Sequence, residues 1–374
     1  MSAGGVVLRA DSGLHIGTGH VMRCLTLADV LKKAGVSTTF VSRAHAGHVL
    51  SVISGRGHRL VVLSDSMGQS YGDHPHPPAH AGWLGADWRA DAAATRQELE
   101  ISDAKWLVVD HYALDISWQE EALPAGVSLL VIDDLADRPH RADLLVDQNI
   151  GRKAEDYAGL VSSNCDLLIG PTYALLRPEF ARLRPRALAR REVMTRPEGL
   201  LVTLGGIDRD NDTCRVLNAL AQTPDSRGMR VTVVMGDNAP HLELVRAKAA
   251  SIPIPTEVVS GVTDMAQRMM NADLCIGAAG STAWERCAMG LPTLHVVLAD
   301  NQIGAAQAMA AQGVSLALSS PQSLDFASSL AAGLRHISQA GAYRAIASAA
   351  AALTDGAGVT RVSQMLLQRA AHAN

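Results

Sequence analysis

The sequence predicts an α/β protein made of two units, each built on a parallel sheet. Three observations carry this. Short unbroken apolar runs alternate with helical patterns from Val6 to Val297, and strands of that kind belong to sheets covered on both faces. Several runs end in polar or glycine-rich turns, such as Asp110-His111-Tyr112 and Gly277-Ala278-Ala279-Gly280-Ser281-Thr282. Open α/β sheets bind ligands at that edge. The length of 374 residues suits two domains at roughly 100–200 residues each.

Composition narrows the class. The formal charge of −4 gives no general attraction for nucleic acid, so any anion site must be local. The hydrophobic fraction of 48% suffices for ordinary cores. Five cysteines, Cys24, Cys165, Cys214, Cys275 and Cys287, are scattered without a C-x-x-C pair. That is neither a disulfide framework nor a zinc pattern. No run approaches the ~18 apolar residues of a membrane span, and the N-terminus lacks the regions of a signal peptide. The expectation is a cytoplasmic protein with no membrane anchor, no nucleic-acid partner and no evident oligomer.

Taken in order, Val6–Ala10 reads as strand and His20–Ala34 as helix, with Gly35 placed to end it. Ser37–Ser42 is strand, Ala46–Ser54 helix and His58–Leu63 strand. Ser66–Asp87 breaks the pattern with Gly, His and Pro, including His74, His76 and His80. It reads as a surface loop, with a metal site or a flap over the active site as the other options. A helix near Ala90–Ile101 precedes strands at Trp106–Val109 and Leu129–Ile132, the second ending in Asp133-Asp134. Those acids either line a cleft or cap the next helix. Leu144–Val146 and Leu167–Ile169 read as further strands, and Pro178 opens a short helix. The basic, proline-bearing stretch Arg182–Arg196 reads as a solvated connector. Strands follow at Leu200–Thr203, Val231–Met235, Val258–Val259, Leu274–Ile276, Thr293–Val297 and Val314–Leu318, and the alanine-rich tail is helical. The expected domains are 1–183, a linker 184–198, 199–355, and a C-terminal helix 356–374 able to pack back on the first domain.

The chemistry gathers around Gly17-Thr18-Gly19-His20. The two glycines allow a tight turn and close approach of a ligand. His20 then opens a helix whose free N–H groups favour anions and disfavour added positive charge. An imidazole, with an ordinary pKa near 6.5, can be neutral in the cell and accept a proton. A histidine at a helix start can also be a cap or a surface residue. Gly205-Gly206 is a second glycine turn, expected to face the first across a cleft, or to be simple strand–helix punctuation. Gly280-Ser281-Thr282 leaves backbone amides uncovered for a diphosphate. Glu285 reads equally as the end of a Thr-x-x-Glu capping box and as a carboxylate for ribose hydroxyls. Neither a Walker loop nor G-x-G-x-x-G is present.

These residues resemble a known family. Arg9-Ala10-Asp11-Ser12, Gly17-x-Gly19-His20-x-Met22-Arg23, Asp110-His111-Tyr112, Asp133-Asp134, Tyr173-Ala174-Leu175-Leu176-Arg177 and Leu204-Gly205-Gly206-Ile207-Asp208 are similar to the UDP-2,4-diacetamido-2,4,6-trideoxy-β-L-altropyranose hydrolases of pseudaminic acid synthesis. The likeness runs from about Val6 to about Gly313, although Ser66–Asp87 is longer than the family pattern. The resemblance implies two Rossmann-like domains facing across a cleft (GT-B), as in the peptidoglycan N-acetylglucosaminyltransferase. It implies attack of water on the anomeric carbon of a UDP-trideoxy sugar, with inversion and loss of UDP. His20 is then the general base, with Gly17 and Gly19 close to the sugar and phosphates. Gly280, Ser281 and Thr282 hold the diphosphate, Glu285 the ribose, and Gly261-Val262 the uracil. Gly205 and Gly206 help cradle the diphosphate, Asp11 orients His20 or the water, and Tyr112 meets the sugar. No metal or cofactor is required. A glycosyltransferase on the same site, a non-catalytic UDP-sugar sensor and an epimerase are the rival readings.

Overall fold

The computed structural model describes residues 4–64, 70–298 and 302–372. The chain divides into two compact units, Met1–Leu176 with Ala357–Asn374, and Arg177–Gly356.

The first unit carries β1 (Gly5–Ala10), β2 (Thr38–Arg43), β3 (Arg59–Leu63), β4 (Ala104–Asp110), β5 (Ser128–Ile132), β6 (Leu144–Asp147) and β7 (Asp166–Ile169). They form one seven-stranded sheet in the order β3-β2-β1-β4-β5-β6-β7, with every pairing parallel. The unbroken apolar runs follow from burial of both faces. Val6, Leu8, Trp106 and Val108 enter one core with Leu25 and Ala28. Val7, Leu107 and Val109 enter the opposite core with Trp88 and Trp118. The strand order reverses between β1 and β4. The loops leaving their carboxyl ends therefore diverge and open a crevice.

The helix Gly19–Lys33 follows β1 and buries Val21, Cys24, Leu25, Ala28 and Leu31. Gly35, at φ +83, ends it in the left-handed region. The last helix, Gly358–His372, places Val359, Val362 and Leu366 in the same core. Gly358 is required there, because a Cβ would sit 2.3 Å from the carbonyl oxygen of Ala174.

The Gly/His/Pro-rich segment is more than a surface loop over its described part. Residues 66–69 of it lie outside the described residues. Beyond them, the Tyr71 hydroxyl donates to the Ala113 carbonyl at 2.6 Å, and His74 packs beside Asp115 and Trp88. Leu84 and Ala86 are buried in the core. No group of three or more His, Cys, Asp or Glu side chains suited to a metal ion occurs among the described residues.

The second unit carries β8 (Gly199–Thr203), β9 (Arg230–Met235), β10 (Thr256–Ser260), β11 (Leu274–Ala278), β12 (Thr293–Val296) and β13 (Leu316–Ala317). They form a six-stranded sheet in the order β10-β9-β8-β11-β12-β13, again parallel throughout. Its order reverses between β8 and β11, which places the Gly205 and Gly280 turns at the same edge.

The expected linker 184–198 is corrected. Residues 184–192 belong to a 15-residue helix, Pro178–Glu192, that tolerates Pro185 inside it. Arg182, Arg186 and Arg190 are exposed, as expected of a solvated stretch, but Arg191 is buried and Arg184 half-buried. Buried Arg191 donates to the carbonyls of Met269 and Ala272 at 2.8 and 3.2 Å, closing the end of the helix Met265–Asn271. Arg184 donates to the Ala288 and Ala351 carbonyls at 2.6 and 2.7 Å, and Arg190 pairs with Asp273 at 2.5 Å. The boundary between the units accordingly falls at Leu176/Arg177, not at residue 183. Among the described residues no helix is long and apolar enough to cross a membrane.

Candidate active site

Two backbone features set His20. Gly13 and Gly17 exchange hydrogen bonds of 3.1 and 2.8 Å, with Gly17 at φ +81. This small closed loop delivers the chain to Thr18, which begins the helix without a side-chain cap. The first N–H groups of the helix, including that of Gly19, are left to bind something else.

His20 is buried, at 7% exposure, and its Nδ1 lies 2.6 Å from Asp110 Oδ1. Arg23, one turn further along the helix, donates to the same carboxylate through Nε at 2.5 Å and Nη2 at 2.6 Å. Arg23 Nη2 is also 3.4 Å from His20 Nδ1, but a guanidinium only donates, so the proton on Nδ1 belongs to the shorter contact with Asp110. Both polar contacts of the ring use Nδ1, which leaves Nε2 as the acceptor. Burial opposes ionisation of Asp110, yet Arg23 and His20 hold its carboxyl well below the usual range.

A second carboxylate extends the network. Asp134 Oδ2 takes Arg23 Nη1 at 2.7 Å and the Tyr112 hydroxyl at 2.9 Å. Burial, with Asp134 beside it, pushes the Tyr112 phenol far up, so it stays a donor. Tyr112 meets the His20 ring edge-on at 4.7 Å between centroids. Trp83 stacks on Tyr112 at 5.4 Å and lies 6.4 Å from His20. His80 lies 4.6 Å from Trp83. The flap option for the Gly/His/Pro-rich segment thus has a physical counterpart, since its rings stand beside His20.

The expected role of Asp11 is corrected. Its carboxylate is fully buried and is held by Arg9 at 2.5 and 2.9 Å and by the Arg43 amide at 2.7 Å. His111 and His45 approach it at 3.3 and 3.4 Å. Arg9 is the one charge that β1 sends into a core, and Asp11 and Asp91 neutralise it there. The carboxylate that orients His20 is Asp110. Sequence reasoning placed Asp110 at the right edge without giving it that partner. The available signal was Arg23, three residues after His20 and therefore on the same helix face. Asp134 is among the sheet-edge acids read as lining a cleft, and His80 and Trp83 fall in the segment for which a flap is one option, but nothing in the spacing singles out these three side chains as neighbours of His20.

The second unit has its own cluster at the edge of its sheet. Gly205 sits at φ +104 with open space on its Cβ side. Gly206 accepts from the Gly236 amide at 3.0 Å, and a Cβ on Gly236 would lie 2.3 Å from that carbonyl oxygen. Gly261, at φ +59, leaves room for the Asp237 carboxylate, and half-buried Val262 follows it. Beneath the turn Gly280-Ser281-Thr282, buried Arg286 donates to the Ala278 carbonyl at 2.6 Å and the Thr282 hydroxyl at 3.1 Å. Gly277 makes space for this guanidinium. Arg286 knits the turn from below, while Ser281 at its middle is exposed.

The capping-box alternative for Glu285 is not formed. The helix Thr282–Ala288 has Ser281 as its N-cap, with no side-chain cap bond. Glu285 lies instead 3.7 Å from Arg177. Burial pushes its carboxyl up to about 7, against the pull of Arg177 and Arg286.

Comparison with known proteins fits this architecture. Residues 211–360 match the Glycosyltransferase family 28 C-terminal domain. The chain is 32% identical over 158 residues to the spore coat polysaccharide biosynthesis protein SpsG of Bacillus subtilis, covering 42% of this chain and 45% of that protein. It is 27% identical over 219 residues to the UDP-2,4-diacetamido-2,4,6-trideoxy-beta-L-altropyranose hydrolase of Campylobacter jejuni, covering 58% of this chain and 66% of that one. The chain therefore spans from under half to about two thirds of the length of these relatives. The crystal structure of Acinetobacter baumannii MurG superposes with a TM-score of 0.64 at 13% identity, covering 97% of this chain and 99% of the other. Both units thus share the two-domain, parallel-sheet fold of the GT-B glycosyltransferases.

Proposed function

We propose that the chain releases UDP from a UDP-2,4-diacetamido-2,4,6-trideoxy sugar by hydrolysis at the anomeric carbon, a step of pseudaminic acid synthesis. The contact that carries this reading is the 2.6 Å bond between His20 Nδ1 and Asp110, which leaves Nε2 free to take a proton. Water bound to Nε2 attacks C1. Its proton passes to Nε2, the C1–O bond breaks, and the bonding pair leaves with UDP. Attack on the face opposite the leaving group inverts C1. Asp110 stabilises the imidazolium formed, and Arg23 keeps Asp110 ionised throughout.

UDP is a stable anionic leaving group. Backbone amides at Gly280-Ser281-Thr282, helped by Gly205 and Gly206, take the place of a dedicated acid. Gly17 and Gly19 admit the sugar and its phosphates to His20, and Tyr112 meets the sugar. Glu285 accepts the ribose hydroxyls, and the Gly261-Val262 backbone meets the uracil. The likeness to the Campylobacter hydrolase supports this reading.

The match to a glycosyltransferase domain favours a second reading, in which the same base deprotonates a sugar hydroxyl. The two part in one assay, incubation with the UDP-trideoxy sugar and no acceptor. Hydrolysis gives UDP and a reducing sugar in equal amounts. UDP that appears only once an alcohol acceptor is added identifies a transferase instead.

A further inference from the structure

Trp83 stands beside His20 without a role in the reaction above. Its indole stacks on Tyr112, with an interplanar angle of 28°, and His80 leans on it at 49°. The ring is only half-buried. Trp88 and Trp118 donate their Nε1–H groups to Asp73 and Asp91 at 3.3 and 3.2 Å. Trp83 Nε1 has no such partner among the described residues. An aromatic surface and an unfilled donor therefore lie together, one ring's width from the proposed base.

Substrate geometry makes use of both. The water on His20 must come within about 3–3.5 Å of C1. With Trp83 centred 6.4 Å from the imidazole, a pyranose in that position has the indole within van der Waals reach. Hydroxyls pressed on this wall would lose water without gaining a partner, so C–H groups are favoured there. An acyl oxygen is the acceptor the Nε1–H lacks.

We infer that Trp83 is a specificity-determining residue that reads an N-acylated deoxy sugar, its ring covering the apolar side and its N–H meeting an acyl carbonyl. This rests on the nucleotide-sugar reading above.

The test measures binding without turnover. In the His20→Ala protein, dissociation constants for UDP and for UDP-2,4-diacetamido-2,4,6-trideoxyhexose are compared by calorimetry, with Trp83 kept, replaced by Phe, or replaced by Ala. Thermal melts and UDP affinity check that each variant is folded. The expected result is that the sugar tightens binding over UDP alone. That gain should fall about tenfold or more in Trp83→Ala. It should fall severalfold in Trp83→Phe, which keeps a ring and loses the donor. UDP itself should bind equally in all three. A sugar gain unchanged within twofold by Trp83→Ala overturns the inference. So does a parent protein that binds sugar-nucleotide and UDP alike, or an equal loss for both ligands, which would mark Trp83 as structural. Absence of turnover by the protein with His20 intact, alongside a Trp83-dependent gain, would refute hydrolysis and leave the recognition role standing.

Discussion

Two aspartates at the sheet edge look alike in the sequence and behave differently. Asp110 takes donors from His20 and Arg23, so it sets a tautomer; Asp11 takes Arg9, so it neutralises a core charge. Replacing His20 by Ala should lower turnover on the order of 10²–10⁴-fold while UDP affinity holds, checked by steady-state kinetics and calorimetry. Asp110→Asn should lower turnover by a comparable factor, because an amide no longer fixes the proton on Nδ1. Asp11→Ala should act on folding instead, destabilising by roughly 3–5 kcal/mol because buried Arg9 and Arg43 are left to share the single carboxylate of Asp91, seen as a lower urea midpoint. Glu285 adds a pH dependence. Its carboxyl titrates at about 7, so it is mostly neutral below that and charged above. UDP should bind more tightly as pH rises from 6 to 8. Glu285→Gln should remove that part of the rise and leave only the part due to the phosphate's own titration.

At the scale of elements, the strands were legible because both faces of each sheet are buried, so Leu107-Val108-Val109 alternate between two cores without a polar gap. The helix after Gly19 was legible from its apolar face and its closing Gly35. The helix Pro178–Glu192 was not. Its prolines and arginines have the composition of a connector, and only tertiary contacts show Arg191 closing a neighbouring helix through the Met269 and Ala272 carbonyls. Arg191→Met should leave those carbonyls unpaired and destabilise the second unit by about 2–4 kcal/mol, read as a lower thermal midpoint. The His20 partner was misassigned for a related reason. Asp11 is close in sequence, whereas Asp110 arrives from β4, which the sheet order places beside β1.

Over the whole molecule, each unit buries a histidine that the fold keeps neutral. Burial pulls His140 in the first unit and His295 in the second down to about 4. In the unfolded chain both titrate near 6.5. Below that value the unfolded chain binds more protons, so stability falls as the pH drops from about 6.5 towards 4. Denaturant midpoints followed across that range should decline, and His140→Gln with His295→Gln should flatten the decline. The same buried positions explain why composition alone said little about the sites. The His20 ring, its carboxylate and the aromatic wall come from the helix after β1, from β4 and from an irregular segment, and only the sheet topology assembles them.

Activation of water at C1 by His20 can be read from isotope placement: the UDP-trideoxy sugar is incubated in ¹⁸O water with the native protein and with His20→Ala, and the products are compared by mass spectrometry. One ¹⁸O in the released sugar, none in UDP, and little release with the variant are expected. Label in UDP, or undiminished release by His20→Ala, would contradict it.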